Sequence, residues 1–169
     1  KKLQMDNLTH SLTGALAAKI IEHRKPAEQR RAVFWLFVLC ANLPDIDVAV
    51  GLLGDRIFSM QHHRGITHSL LFAPVLALLP SALFYYFGKI KNFKALWLIS
   101  LTGILLHIFF DLITAFGTQL FAPFSTARYA LDWMFIVDPV FTGILAISLL
   151  LGRIFANSRK SFVLAGGVL

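Results

Sequence analysis

The chain has a single cysteine, Cys40, and few charged residues. One cysteine excludes an internal disulfide and leaves the redox compartment undetermined. Only 15% of residues are charged, against about 25% in ordinary soluble domains. The chain is also 57% hydrophobic, with a mean hydropathy of +0.69. A soluble core of this size cannot hide so much apolar surface, so part of that surface is expected to face lipid.

The sequence also lacks a cleavable signal peptide, an internal repeat and a low-complexity tract. We therefore expect one domain over residues 5–169, with Met5 as the natural start and residues 1–4 as an added extension. The net charge of +7 is no sign of a nucleic-acid partner, because the basic residues form short clusters between apolar runs. That arrangement is typical of membrane proteins.

Five apolar segments predict an all-α integral membrane bundle, with about five transmembrane or partly spanning helices. They cover residues 8–21, 32–43, 67–87, 95–116 and 134–152. Small residues in the first segment favour close packing against other helices. The segment over 67–87 is expected to kink at Pro74 and Pro80. The closing SFVLAGGVL is expected to begin a further helix that continues beyond residue 169.

Basic residues follow the first, third and fifth segments, which places those three connections in the cytoplasm. The residues are Lys19, Arg24, Lys25, Arg30, Arg31, Lys89, Lys91, Lys94, Arg153, Arg159 and Lys160. The other side receives fewer charges, among them Arg56 and Arg128. This orientation predicts a multi-pass membrane protein, with its ionisable residues gathered at the extracytoplasmic side.

Seven histidines and aspartates are predicted to lie at that outer level and to bind metal. They are His10, Asp45, Asp47, His63, His68, His107 and Asp111. The spacing of His107 and Asp111 puts them on one helical face. A buried carboxylate is costly unless it is paired or coordinated. Seven ligands exceed one zinc site and suit two divalent ions, with zinc favoured and manganese or iron as alternatives.

Two further residues are predicted to contact substrate. Arg64 suits bidentate pairing with a phosphate and is expected to act in catalysis by neutralising the charge that develops on it. Thr67 is expected to begin a helix whose N–H groups favour an anion. Asp45 or Asp47 is expected to serve as general base. His62 is expected to remain outside the ligand set.

Five motifs occur in the order MDNLTHSLTG, LPDID, HHRGITHS, HIFFDLITAFGTQLFAPFS and DWMFIVDP. Together they resemble the YdjM-like family of bacterial inner-membrane proteins, commonly labelled membrane-bound metal-dependent hydrolases. The resemblance implies a location in a bacterial inner membrane and a polar core made of Arg64 and the seven predicted ligands, with Thr114, Gly117 and Pro123 continuing the motif. Asp138 also matches a family position, where it is expected to be a ligand or a substrate contact, with helix capping as the alternative. A weaker similarity is to zinc-dependent phospholipase C, whose N-terminal tryptophan ligand and later HxxxE this chain lacks. That difference argues against a three-metal site.

The predicted function is hydrolysis of a phosphoester in a lipid or lipid-linked substrate by a metal-activated water. One alternative is a metal-dependent lipid amidase or esterase. Another is a metal transporter or a non-catalytic membrane scaffold. The inner halves of the segments are almost free of ionisable groups, which argues against transport. A scaffold has no need of seven potential ligands.

Overall fold

The computed structural model of the chain describes residues 7–22, 25–48, 63–136 and 138–165. His62, Arg24 and Arg56 lie outside the described residues, as does the predicted start at Met5. The described helices are α1 (Asn7–Glu22), α2 (Ala27–Cys40), α3 (Ala73–Leu76), α4 (Leu78–Phe87), α5 (Phe93–Leu112) and α6 (Pro139–Ala165). Short 3-10 turns cover Leu43–Ile46 and Ile66–His68. The all-α prediction is confirmed for the described residues, where no strand forms beyond two isolated bridges.

The core lies where α2 and α5 meet. α1 packs against α2 and α6, while α5 packs against α2 and α4. Phe37 and Leu36 of α2 and Leu96 and Ile104 of α5 are fully buried in this core. Burying one such side chain contributes about 1.5–3 kcal/mol, so these contacts hold the two helices in a fixed register.

Two glycines allow the close approach of these helices. A Cβ atom at Gly14 would lie 2.8 Å from the Cβ of Ala41, and one at Gly103 would lie 2.7 Å from the Cβ of Cys40. Neither distance is tolerated between real Cβ atoms. The prediction of close packing by small residues in the first segment is therefore confirmed at Gly14.

Gly103→Ala is expected to lower the free energy of unfolding by about 1–3 kcal/mol, because the added methyl group overpacks the contact with α2. Gly143→Ala in α6 is the matched control, since nothing lies within 4 Å of a Cβ atom there. It is expected to be neutral or to stabilise by up to about 1 kcal/mol through helix propensity. Denaturant titration in detergent measures both, and equal effects at the two glycines would contradict the packing.

The segment predicted over 67–87 is not one kinked helix. Ser69 adopts an extended conformation, and its hydroxyl donates to the carbonyls of Leu120 (3.2 Å) and Ala122 (2.6 Å). The Leu70 amide also donates to Leu120 (3.0 Å). Because these bonds draw the backbone to the 118–122 loop, helical structure starts at Ala73 rather than at Thr67.

Other predicted boundaries also move. α5 ends at Leu112 instead of residue 116, since Thr114 forms a bridge with Met134. α6 consequently begins at Pro139, five residues later than predicted. The sixth segment is wrong for the described residues, because Ser161 to Ala165 continue α6 without a break.

Within the described residues, the structure contains fewer candidate membrane spans than the five predicted segments. Among the described residues, α5 is the one helix long and apolar enough to cross a membrane, with a mean hydropathy of 1.9. Ala73–Phe87 and Pro139–Ile154 are apolar but shorter. Large apolar side chains are widely exposed, including Phe87 (88%) on α4 and Val140 (72%) on α6. Exposed apolar surface on this scale marks an interaction with lipid or with another protein.

Candidate metal centre

The turn after α2 delivers two aspartates to the centre of the molecule. Proline favours the first turn of a helix, and Pro44 occupies that place in the 3-10 turn. Asp45 and Asp47 follow it, and both are buried. The predicted placement of these two carboxylates together is confirmed.

Asp47 organises the turn that carries the histidines. Its Oδ2 accepts from the amide of Arg64 (2.8 Å) and from Oγ1 of Thr67 (3.2 Å). Its Oδ1 lies 3.0 Å from Nδ1 of His63. Arg64 has φ +56°, a left-handed conformation that costs energy for a side chain of this size. The amide bond to Asp47 helps to hold that conformation.

The charge state of Asp47 reflects these neighbours. Burial alone would raise the pKa of this carboxyl, but hydrogen bonds and charge from His63 and His68 outweigh burial. The pKa of Asp47 is therefore held below its usual range. The carboxylate is ionised at neutral pH, as its hydrogen bonds to the histidine turn require.

The last turns of α5 supply His107 and Asp111, both fully buried on one helical face. Nδ1 of His107 lies 2.7 Å from the carbonyl oxygen of Ala41. A carbonyl only accepts, so Nδ1 carries the proton and Nε2 presents its lone pair to the centre. The i, i+4 prediction is confirmed, and the backbone of α2 fixes the tautomer.

Four donor atoms converge beside this histidine. Nε2 of His68 lies 3.0 Å from Nε2 of His107, 3.0 Å from Oδ2 of Asp111 and 3.5 Å from Oδ1 of Asp45. Nε2 of His107 lies 3.4 Å from the Asp111 oxygen and 3.6 Å from the Asp45 oxygen. Donors about 2.0–2.1 Å from a tetrahedral ion are about 3.3 Å apart. The spacing of Asp45, His68, His107 and Asp111 thus fits one divalent ion, and we call them the buried group.

Unsatisfied polar atoms support this fit. Both carboxylate oxygens of Asp45 are buried without a hydrogen bond among the described residues, whereas Asp111 has Arg64 and His10 as partners. A buried unpaired carboxylate costs more than a fold normally tolerates, whereas a cation satisfies its lone pairs. The imidazole and carboxylate donors, and the lack of hydrogen bonds to Asp45 among the described residues, both favour a bound cation.

A second group shares Asp45 with the first. Asp45, Asp47 and His63 each offer an atom within 4.8 Å of the others, and we call them the outer group. The side chain of His63 is 12% exposed, while His68 and His107 are fully buried. A shared carboxylate between two neighbouring groups matches the predicted bridging arrangement. Ligation itself remains a prediction for all seven residues.

His10 is near the centre but belongs to neither group. Its Nε2 lies 3.2 Å from Oδ1 of Asp111, and its ring stacks on His107 with centroids 4.0 Å apart. Nδ1 of His10 has no hydrogen-bond partner among the described residues. The geometry makes His10 a partner of Asp111, and its predicted role as a ligand is not reproduced by these groups.

Arg64 is fully buried, so its guanidinium does not lie at an open surface. Its Nε lies 3.0 Å from Oδ2 of Asp111, and Nη1 donates to Oγ1 of Thr114 (2.8 Å). The guanidinium thereby orients Asp111 from within the fold. Contact between Arg64 and a phosphate stays a prediction.

Two other predicted substrate contacts have structural roles. Thr67 does not begin a long helix; it lies inside the 3-10 turn Ile66–His68 and donates to Asp47. The expected anion site at a helix N-terminus there is wrong. Oδ1 of Asp138 accepts from the amides of Val140 and Phe141, both at 2.9 Å, so Asp138 caps α6. Capping was one of its predicted alternatives.

The sequence reasoning missed Arg128 and Phe116 as site residues. Exposed Arg128 donates from Nη2 to the carbonyl of His63 (3.0 Å) and from Nη1 to that of Gly117 (3.2 Å). Its guanidinium lies over the Phe116 ring at 5.4 Å, and Arg64 lies over the same ring at 5.1 Å. The TAR stretch carries no motif, so only the fold reveals that Arg128 borders the outer group.

Comparison with known sequences shows the family of this chain. The sequence pattern of the family described as YdjM inner membrane protein matches residues 5–169. The chain belongs to the YdjM inner membrane protein family. The uncharacterized protein YfhP of Bacillus subtilis (strain 168) is 32% identical over 140 residues, which are 80% of this chain and 42% of YfhP. The chain thus spans less than half of that relative's length. No solved structure matches the chain significantly.

Membership in the YdjM family identifies a membrane protein. It accounts for the apolar side chains exposed on α4 and α6, which a bilayer would cover. It also confirms the resemblance drawn from the five motifs, three of which contribute the residues of the two groups.

Proposed function

We propose that this YdjM-family protein is a metal-dependent hydrolase that cleaves a phosphoester in a lipid or lipid-linked substrate. The observation that carries the proposal is the convergence of the buried group, four donor atoms 3.0–3.6 Å apart over the five measured pairs. Bound divalent ions, with zinc favoured by the imidazole and carboxylate donors, would polarise a phosphate oxygen and acidify a water.

The residues of the two groups and their neighbours would have different roles in the reaction. The buried group would hold one ion with four protein donors, while the outer group offers three donors and leaves room for water or substrate. Arg64 and His10 keep the Asp111 carboxylate in place. Asp47 is committed to the histidine turn, which leaves Asp45 to bridge two ions or to accept a proton from the attacking water.

Hydrolysis is tested by incubating purified protein with a phospholipid panel in the presence of zinc or manganese. We expect wild-type protein to release a phosphorylated head group or phosphate, and Asp111→Ala to lose at least about 100-fold in rate, since metal-centre residues act as a unit. Asp132→Asn, at an exposed carboxylate, is the control, because asparagine tolerates the left-handed backbone of this residue (φ +53°). Release of fatty acid would favour the amidase or esterase alternative. No product from any lipid would favour a scaffold.

We also propose that the metal centre faces the extracytoplasmic side. The basic connection between α4 and α5 carries Lys89, Lys91 and Lys94 and would lie in the cytoplasm. The centre lies at the opposite ends of these helices, since His107 and Asp111 end α5.

Cysteine labelling tests this orientation in a Cys40→Ala background. Asp132→Cys is expected to react with a membrane-impermeant maleimide in intact spheroplasts, whereas Lys89→Cys is expected to react only after the membrane is opened. Both residues are exposed, so accessibility of the side chain is matched. The reverse labelling pattern would place the centre in the cytoplasm.

A further inference from the structure

An open cleft borders the metal centre on one side. Its polar lining includes His10, Asp111 and Asp138, and Phe110, Met134, Phe135 and Phe141 supply most of its apolar lining. The cleft runs between the start of α1 and the start of α6, where Oγ1 of Thr9 and Oγ1 of Thr142 lie 2.6 Å apart. The cleft therefore brings apolar side chains close to buried His10 and Asp111.

One polar residue that lines the cleft, His10, has a ring nitrogen without a hydrogen bond among the described residues. His10 is 4% exposed, and its Nδ1 has no hydrogen-bond partner among the described residues. A buried imidazole nitrogen without a partner loses free energy that a ligand's polar group restores. The lining of the cleft thus favours a ligand that has both a polar group, to contact His10, and a hydrocarbon part, to contact the apolar side chains.

Many of the side chains around the opening of the cleft are apolar and exposed. Phe135, which lines it, is 79% exposed, and neighbouring Trp133 and Val140 are each 72% exposed. α6 continues with Ile144 and Ile147, both more than half exposed. In a protein of an inner-membrane family, such side chains are covered by lipid. The cleft accordingly opens toward the bilayer.

We propose that this cleft is an acyl-chain site, which one chain of a membrane phospholipid enters from the bilayer past Phe135. The head group then lies at His10 and Asp111, beside the buried group. The chemistry at that head group rests on the proposed function, but occupation of the cleft by a chain does not. Lateral entry also lets the substrate keep its tail out of water throughout the encounter.

Photocrosslinking tests the site without any hydrolysis. The full chain is reconstituted with phosphatidylglycerol that carries a diazirine midway along one acyl chain, and labelled peptides are identified by mass spectrometry. We expect the adducts to concentrate on Phe110, Met134 and Phe141. Labelling spread evenly over the exposed faces of α4 and α6, with no excess at the cleft, would overturn the proposal.

Two variants in the cleft and one control variant outside it test where the acyl chain is labelled. Ile136→Trp fills the cleft and is expected to reduce labelling there about tenfold, because a chain must be enclosed to be held. Ile144→Trp, at a 56% exposed position on α6, is expected to leave it unchanged. Phe135→Glu places a charge at the opening without filling the cleft, and should also reduce labelling if Ile136→Trp fails to fold. Equal cleft labelling in the wild type and both cleft variants would contradict the proposal.

The two proposals fail separately. Cleft labelling without any released product would sink the hydrolase and leave the acyl-chain site standing. Product release by a protein whose cleft is never labelled would sink the acyl-chain site alone.

Discussion

Asp45→Asn is expected to lower metal affinity at both groups by at least about 100-fold. Structural zinc sites with four ligands bind with about 10–16 kcal/mol, so a single ligand contributes roughly 3 kcal/mol. Asp45 belongs to the buried group and to the outer group, and an amide oxygen is a weaker, neutral donor. Titration of chelator-treated protein with zinc, followed by calorimetry, measures the loss.

Asp47→Asn and Asp132→Asn provide the comparison for that result. Asp47 belongs to the outer group alone, so its replacement should spare the tighter binding event. Asp132 is exposed and should leave both events unchanged. Wild-type zinc affinity in the Asp45→Asn protein would show that the shared carboxylate is not a ligand.

Arg64→Met is expected to lower the free energy of unfolding of the metal-free protein by about 3–5 kcal/mol. The reason is that Arg64 and Asp111 are both fully buried, with Nε and Oδ2 3.0 Å apart. Methionine keeps most of the volume but leaves the Asp111 carboxylate without its cationic partner. Denaturant titration in detergent with a chelator present measures the change.

Two further variants isolate the charge effect. Arg128→Met removes an exposed guanidinium from the same Phe116 ring and is expected to cost about 1 kcal/mol or less. The double variant Arg64→Met with Asp111→Leu removes both charges and is expected to recover much of the loss. If Arg64→Met were no more destabilising than Arg128→Met, the buried ion pair would not stabilise the fold.

The candidate site was largely predictable because its residues depend on simple rules. Helical spacing places His107 and Asp111 on one face, and a proline-ended helix brings Asp45 and Asp47 to one turn. Charge asymmetry along the chain then predicts that these turns and the histidine stretch meet at one level. The structure brings all seven predicted ligands to one place, since each of them contacts another or shares a group.

What the sequence did not reveal depends on contacts between distant residues. The 67–87 segment is broken because Ser69 bonds to carbonyls more than fifty residues away. The role of Thr67 follows from Asp47, and that of Arg128 from the backbone of His63. Periodicity and hydropathy report on neighbours along the chain, so they carry no signal for such pairings. Arg64 was found as a site residue, but its burial against Asp111 was not foreseen.

Metal content of the purified full chain tests the central claim most directly. The protein is prepared without chelators or a metal-affinity column and analysed by inductively coupled plasma mass spectrometry. Two groups that share Asp45 predict between one and two equivalents of a divalent transition metal per chain, with the more weakly held ion lost first on dialysis. Less than about half an equivalent of any such metal, in protein that is folded and binds none on titration, would contradict the account.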